Sequence, residues 1–184
     1  EAQVARLAAE LGRRGWDARV VSLRRNPEFA GVHAPGLARL PALLRRLRPT
    51  ILHCHLYHAN VAGRLLRLVL PVPVVISTLH SLAESSRRSN VIRGRDLVYR
   101  FTDRLADRTV AVAAAVAERH IAAGALSRRR AAVIPNGVDT ELFHPDPKRE
   151  AGADFVWLAA GRLMWKKGFP ALLAAFGRLG RGEL

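Results

Sequence analysis

The feature that most constrains this chain is an alternation. Short apolar runs, rich in β-branched residues, recur with a helical pattern between each pair: residues 17–23 (DARVVSL), 50–54 (TILHC), 74–78 (VVIST), 109–113 (TVAVA) and 131–134 (AAVI). The intervening helices are expected over residues 2–14, 37–48, 59–70, 96–106 and 114–123. In the first of these, Val4, Leu7, Ala8 and Leu11 share a face, as a 3.6-residue period requires. Runs too short to be membrane spans, each followed by an amphipathic helix, argue βαβ units and a parallel sheet covered on both faces. The expected class is therefore α/β, with a Rossmann-like doubly wound parallel sheet.

The alternation is interrupted once, at VIPNGVDTELFHP (residues 133–145). Asn136-Gly137 tolerates the positive φ of a tight turn, and Pro135 and Pro145 exclude regular helix or central strand. After it the pattern restarts, with a strand expected over 155–160 (FVWLAA) and a helix over 170–179. The chain thus reads as a lobe over 1–134, a hinge over 135–150, and the first βα unit of a second Rossmann-like lobe over 151–184. A doubly wound lobe normally opens on a strand and a Gly-rich turn, which would take roughly 10–15 residues upstream. A single βα unit cannot bury its strand, and a whole second lobe would need on the order of 100 more residues. The expectation is a fragment.

Composition narrows the function classes. With 49% apolar residues the chain is globular, and no run approaches the ~18 apolar residues of a membrane span. One cysteine, Cys54, precludes an internal disulfide and fits a reducing, cytoplasmic setting. A net charge of +15, nearly all Arg on the basic side, has two readings. One is a polyanionic partner such as phosphate groups, nucleic acid or an anionic membrane; the other is a compositional habit, since Arg and Ala rise together. No aromatics interleave with Arg, which disfavours a single-strand nucleic-acid groove.

Four constellations can carry chemistry. Gly161-Arg162-Leu163-Met164-Trp165-Lys166-Lys167-Gly168 follows an expected strand and opens a helix, where open α/β sheets bind ligands. Gly161 permits a sharp turn, and Arg162 and Lys167 can address one anion beside the helix N-terminus. An ordinary basic βα loop would look similar. His80 lies just past the end of a central strand, in reach of a substrate hydroxyl or of developing charge, or else in a structural role. In His53-Cys54-His55, with His58 near, two histidines share one side of a strand, but the spacing matches no standard zinc pattern. His55 instead lines the cleft or caps the next helix. Finally, Arg39, Arg45, Arg46 and Arg48, and Arg87, Arg88, Arg93, Arg95 and Arg100, form basic surfaces. The first group decorates an amphipathic helix that is either an interfacial membrane element or a solvated face packing Leu40, Leu43, Leu44 and Leu47 inward. Residues 81–95 read as a polar loop, and no nucleophile elbow surrounds Ser85, Ser86 or Ser89.

Together these stretches resemble the GT-B retaining glycosyltransferases of the family 4 type. VIPNGVDTELFHP resembles that family's passage into its C-terminal lobe, and FVWLAAGRLMWKKGFPALLAAF its first strand, phosphate loop and helix there. EAQVARLA resembles the helix after the Gly-rich loop, and residues 51–55, 75–80 and 106–112 complete the N-terminal pattern. The resemblance implies transfer of a sugar from a nucleotide-diphosphate sugar to an acceptor hydroxyl with retention of configuration, without a bound metal. It implies that Arg162 and Lys167, with Gly161, hold the donor diphosphate, that His80 acts near the reacting sugar, and that Glu1 is the acidic residue after the Gly-rich loop. Ala113 and Ala114 stand where relatives often carry a serine. The implied partners are the donor, a sugar, lipid-linked or small-molecule acceptor, and a peripheral membrane contact, with no nucleic acid. A sugar-nucleotide epimerase of the same fold and a basic nucleic-acid- or membrane-binding module remain the alternatives. An oxidoreductase is disfavoured by the absence of a Gly-x-Gly-x-x-Gly motif.

Overall fold

The computed structural model describes residues 2–23, 36–82, 89–145, 157–164 and 167–179. In order the elements are α1 (Ala2–Arg13), α2 (Gly36–Leu47), β1 (Ile51–His55), α3 (Tyr57–Leu66), β2 (Val74–Leu79), α4 (Ser89–Thr102), a 3₁₀ turn (Asp103–Leu105), β3 (Arg108–Ala111), α5 (Ala114–Ala122), β4 (Ala131–Val133) and α6 (Phe169–Leu179). The chain forms two compact units, Glu1–Asp139 and Thr140–Leu184.

In the first unit the four strands make a parallel sheet in the order β1-β2-β3-β4. Strands added in one direction through right-handed crossovers put every connecting helix on the same face. That face carries Cys54, Val75, Ser77, Leu79, Thr109 and Ala111, all buried. Beneath it lie two apolar clusters. One joins Leu79 and Ala111 to Tyr99 of α4, Val116 and Ala117 of α5, and Ala125 and Leu126. The other joins Val75 to Leu70, Val72 and the buried Leu40 and Leu44 of α2. The stripe on α2 is thus committed to the lobe, with Arg39, Arg45 and Arg46 outward.

Between the two clusters the layer is polar. Arg64 of α3, 1% exposed, donates from Nε to Ser77 Oγ (3.0 Å), from Nη2 to Thr109 Oγ1 (2.9 Å) and from Nη1 to Thr102 Oγ1 (3.3 Å). Its guanidinium lies 5.0 Å from the Tyr99 ring centre. One helical turn earlier, buried Asn60 donates from Nδ2 to Thr78 O (3.0 Å) and to the Tyr99 hydroxyl (3.2 Å).

Three expectations need correction. Residues 17–23 are not a sheet strand; only Val21 makes an isolated bridge, while Val21 and Leu23 still pack on the Leu40–Leu44 cluster. A strand persists only where a neighbour satisfies its ladder, and β1 pairs with β2 alone in this sheet. Residues 89–95 are not loop but the first turns of α4, because Ile92, Arg95, Tyr99 and Thr102 recur at helical spacing; residues 83–88 lie outside those described. In the second unit, residues 157–160 of the expected 155–160 strand have no regular structure. α6 forms as expected but buries none of its residues, leaving Leu173 69% and Phe176 51% exposed.

Gly63 sets how closely α3 approaches the sheet, since a Cβ there would overlap Cys54 Sγ. Gly63→Ala gains helix propensity worth up to about 1 kcal/mol yet overpacks this contact, which costs about 1–3 kcal/mol. Urea unfolding of Gly63→Ala, Cys54→Ala and the double variant should show the glycine substitution costing less once the sulfur is gone. Additive costs would show that this contact does not limit the approach.

Candidate functional site

Parallel strands end together, so β1, β2 and β3 deliver His55, His80 and residues 112–113 to one edge of the sheet. The helices that follow begin there. α3 starts after Leu56 and α5 after Ala113, and neither first turn receives a side-chain cap. Their positive dipole ends therefore face the same edge as the histidines. Leu56 itself has φ 69° and ψ 162°, a region nearly reserved for glycine. Strain of this kind costs of order 1–3 kcal/mol and persists only where the surroundings over-determine it. Here it turns the chain abruptly between His55 and α3.

Pleating places His53, His55 and Thr78 on the face opposite Arg64. His53 Nε2 lies 2.7 Å from Thr78 Oγ1, and His55 Nδ1 lies 3.0 Å from His80 Nε2. The His53 and His55 rings are 4.2 Å apart, and those of His55 and His80 5.3 Å. Burial disfavours the charged form of all three. It is reinforced by the neighbouring histidines for His55, whose pKa falls to about 3, and by His80 for His53. The cluster is neutral at pH 7: a set of coupled donors and acceptors rather than a cation. Because Nε2 of His80 is engaged with His55, Nδ1 is the ring atom left to meet a ligand, and its tautomer follows that of His55.

The segment after His80 is tied down from α5. Buried His120 donates from Nε2 to Ser81 O (3.4 Å) and accepts at Nδ1 from Arg119 Nη1 (3.1 Å). Burial lowers its pKa as well. Arg119 in turn grips Asp96 of α4 through two bonds of 2.5 and 2.7 Å. Arg95, read from sequence as surface charge, stacks 4.8 Å over the Tyr57 ring.

The sequence reading singled out His55 and His80, and the structure brings them into contact. It did not single out Asn60, Arg64, Tyr99 or His120. The available signal was Asn60 and Arg64 at i,i+4 on a helix facing strands with Ser77, Thr78 and Thr109, a polar stripe matched to hydroxyls. The His-Cys-His run does not gather: Cys54 points to the opposite face, under Gly63, and burial pushes its thiol up to about 12. Among the described residues no group of three or more His, Cys, Asp or Glu is arranged to hold a metal ion. Glu1 lies outside the described residues.

In the second unit Gly168, at φ 66°, turns the chain into α6, its carbonyl accepting from Leu172 N (3.0 Å). A Cβ on Gly161 would lie 3.5 Å from Lys167 Cδ and 3.6 Å from Phe169 Cζ, so the lysine stem folds across the glycine. Lys167 N donates to Met164 O (2.9 Å). Arg162 and Lys167 are both exposed, and among the described residues neither is in an ion pair.

A Rossmann-like lobe with polar groups at the carboxyl edge of a parallel sheet defines a ligand-binding α/β class. Within it, the Glycosyltransferase Family 4 model matches residues 1–142, and the chain belongs to that family. The UDP-Gal:alpha-D-GlcNAc-diphosphoundecaprenol alpha-1,3-galactosyltransferase of Escherichia coli is 32% identical over 114 residues, which are 59% of this chain and 28% of that protein. Anabaena Alr3699/HepE in complex with UDP is similar in fold, with TM-score 0.51 and 20% identity over 62% of this chain and 30% of that one. Its complex with UDP-glucose gives TM-score 0.52 and 18% identity over 76% and 35%. The chain thus spans about a third or less of the length of each of these proteins.

Depressed histidine pKa values carry a sign. As pH falls below the ordinary 6.5, the unfolded chain takes up protons that the folded cluster refuses, so stability present above 6.5 is lost progressively toward about 3. Urea midpoints should therefore fall between pH 7.5 and 5, before carboxylates titrate, and His55→Asn should fall less steeply. A wild-type midpoint that is flat over that window would contradict the neutral cluster.

Proposed function

We propose that the protein containing this chain transfers a sugar from a nucleotide-diphosphate sugar to an acceptor hydroxyl, with retention of configuration. The observation that carries the reading is family membership over residues 1–142 combined with a polar, neutral histidine pair at the carboxyl edge of the sheet. Residues 1–134 act as the acceptor-side lobe, 135–150 as the hinge and 151–184 as the start of the donor lobe.

In this reading Arg162 and Lys167 receive the donor diphosphate, with Gly161 keeping the loop close to it. Charge accumulates on that group as its bond to the sugar breaks, and preorganised cations are worth most at that moment. His80 presents Nδ1 to a sugar or acceptor hydroxyl. Neutrality suits that task, since a neutral ring can accept or donate without competing for the diphosphate. His55 holds it in place. The chemistry calls for no metal: cationic side chains meet the leaving group. The UDP and UDP-glucose bound by Anabaena Alr3699/HepE support a uridine nucleotide sugar as donor. The diphosphoundecaprenol named for the Escherichia coli relative supports a lipid-linked acceptor, hence a peripheral, cytoplasmic-face enzyme. Among the described residues no helix is long and apolar enough to cross a membrane.

In the full-length protein, Arg162→Ala and Lys167→Ala should each lower kcat/KM for the nucleotide sugar by about 10²–10³. His80→Ala should lower kcat with little change in donor KM. Measuring nucleotide release, with product anomers read by NMR, tests all three. Unchanged turnover in both loop variants, or an inverted product, would overturn the reading.

A further inference from the structure

The edge of the sheet opposite the histidines carries a second polar feature. A cleft of about 370 Å³ is lined by Arg104, Ala106, Asp107, Arg108, Arg129 and Arg130. Topology puts them together: Arg104 is the middle residue of the 3₁₀ turn, Arg108 opens β3, and Arg129 and Arg130 lie in the turn that enters β4. A backbone bond from Thr109 N to Arg130 O (2.9 Å) joins the last two segments, and Ser127 N donates to Asp103 Oδ2 (3.2 Å). The segments that form the cleft are therefore tied to one another by hydrogen bonds.

Its charge is not balanced locally. Asp107 is already spent: its Oδ2 accepts from Arg67 Nη1 (2.6 Å) and from Val75 N (2.8 Å). Among the described residues Arg108 reaches a carbonyl, that of Asp107 (3.1 Å), and no carboxylate, and Arg130 makes a long 3.7 Å approach to Asp103. Arg104 and Arg129 make no ion pair among the described residues. Arg104, Arg108 and Arg129 thus bring three exposed guanidinium groups round one concavity, a charge that an entering anion would offset. Planar forks match phosphoryl oxygens two at a time, and the single apolar lining residue, Ala106, leaves little for a base or an apolar side chain.

We propose that this cleft is an anion site for a phosphoryl-bearing ligand, separate from the donor site and independent of the proposed transfer reaction. β3 is four residues long, so the cleft lies on the order of 10 Å from the histidine edge. A diphosphate, free or on a lipid headgroup, has the oxygens and charge to engage several forks at once.

The test uses the full-length protein. Inorganic pyrophosphate is titrated while amide shifts are followed by NMR, and vesicles of phosphatidylglycerol or phosphatidylcholine are co-sedimented in parallel. The site predicts shifts at 104–108 and 129–131, besides any at 161–168, and weakening between 50 and 200 mM salt, by analogy with other phosphate contacts. Arg104→Ala/Arg129→Ala should weaken this binding about tenfold or more, whereas Arg39→Ala/Arg46→Ala on α2 should not. Loss of phosphatidylglycerol binding in the same variant assigns the phosphoryl group to a lipid. Pyrophosphate binding without vesicle binding assigns it to a soluble anion. Shifts confined to 161–168, equal loss in the α2 control, or no binding of either probe would overturn the proposal.

Discussion

The first unit depends on a charge placed where charge is costly. Arg64 is 1% exposed beneath the sheet, and burying an ion is unfavourable by several kcal/mol unless its donors are met. Three of them are met by hydroxyls from three different elements: Ser77 on β2, Thr109 on β3 and Thr102 on α4. Thr102 Oγ1 in turn donates to Val98 O (2.7 Å), so the hydroxyl both accepts and donates. The consequence is geometric. One planar fork fixes α3, two adjacent strands and α4 relative to one another, a task that apolar contacts accomplish only within tolerance.

From that layer the order extends to the sheet's edge. Asn60 carries it from α3 to the Thr78 carbonyl, and the Thr78 side chain, on the far face, meets His53. β2 is thereby held from both sides immediately before His80. The pairing of His80 with His55, and of Ser81 with His120, completes the clamp. The histidines then work as a neutral, preorganised hydrogen-bonding edge. Exposed positive charge lies apart from them in the sequence: on Arg162 and Lys167 of the second unit, and on the arginines at the opposite end of β3 and β4.

Much of this architecture was legible because it rests on periodicity. β1 to β4 and the helices between them announce themselves as β-branched runs and amphipathic stretches, and family membership follows from residues the chain displays in order. Residues 17–23 have the pattern but not the partner, and a strand is a property of pairs. Residues 89–95 look polar in sequence, yet Arg95 belongs to a helix and stacks on Tyr57. Arg64 was invisible for the same reason: polarity on a helix reads as solvent exposure, and only the fold reveals the hydroxyls waiting for it. His55 and His80, 25 positions apart, become neighbours only once β1 and β2 are known to pair in parallel, His55 against Thr78.

The fork is the part most open to a direct test. Arg64→Lys keeps the charge and most of the stem, but one ammonium cannot reach hydroxyls on β2, β3 and α4 together. Its unfolding free energy, from urea titration at pH 7.5, should fall by about 2–4 kcal/mol. A variant within about 0.5 kcal/mol of wild type would show that the fork does not hold these elements together.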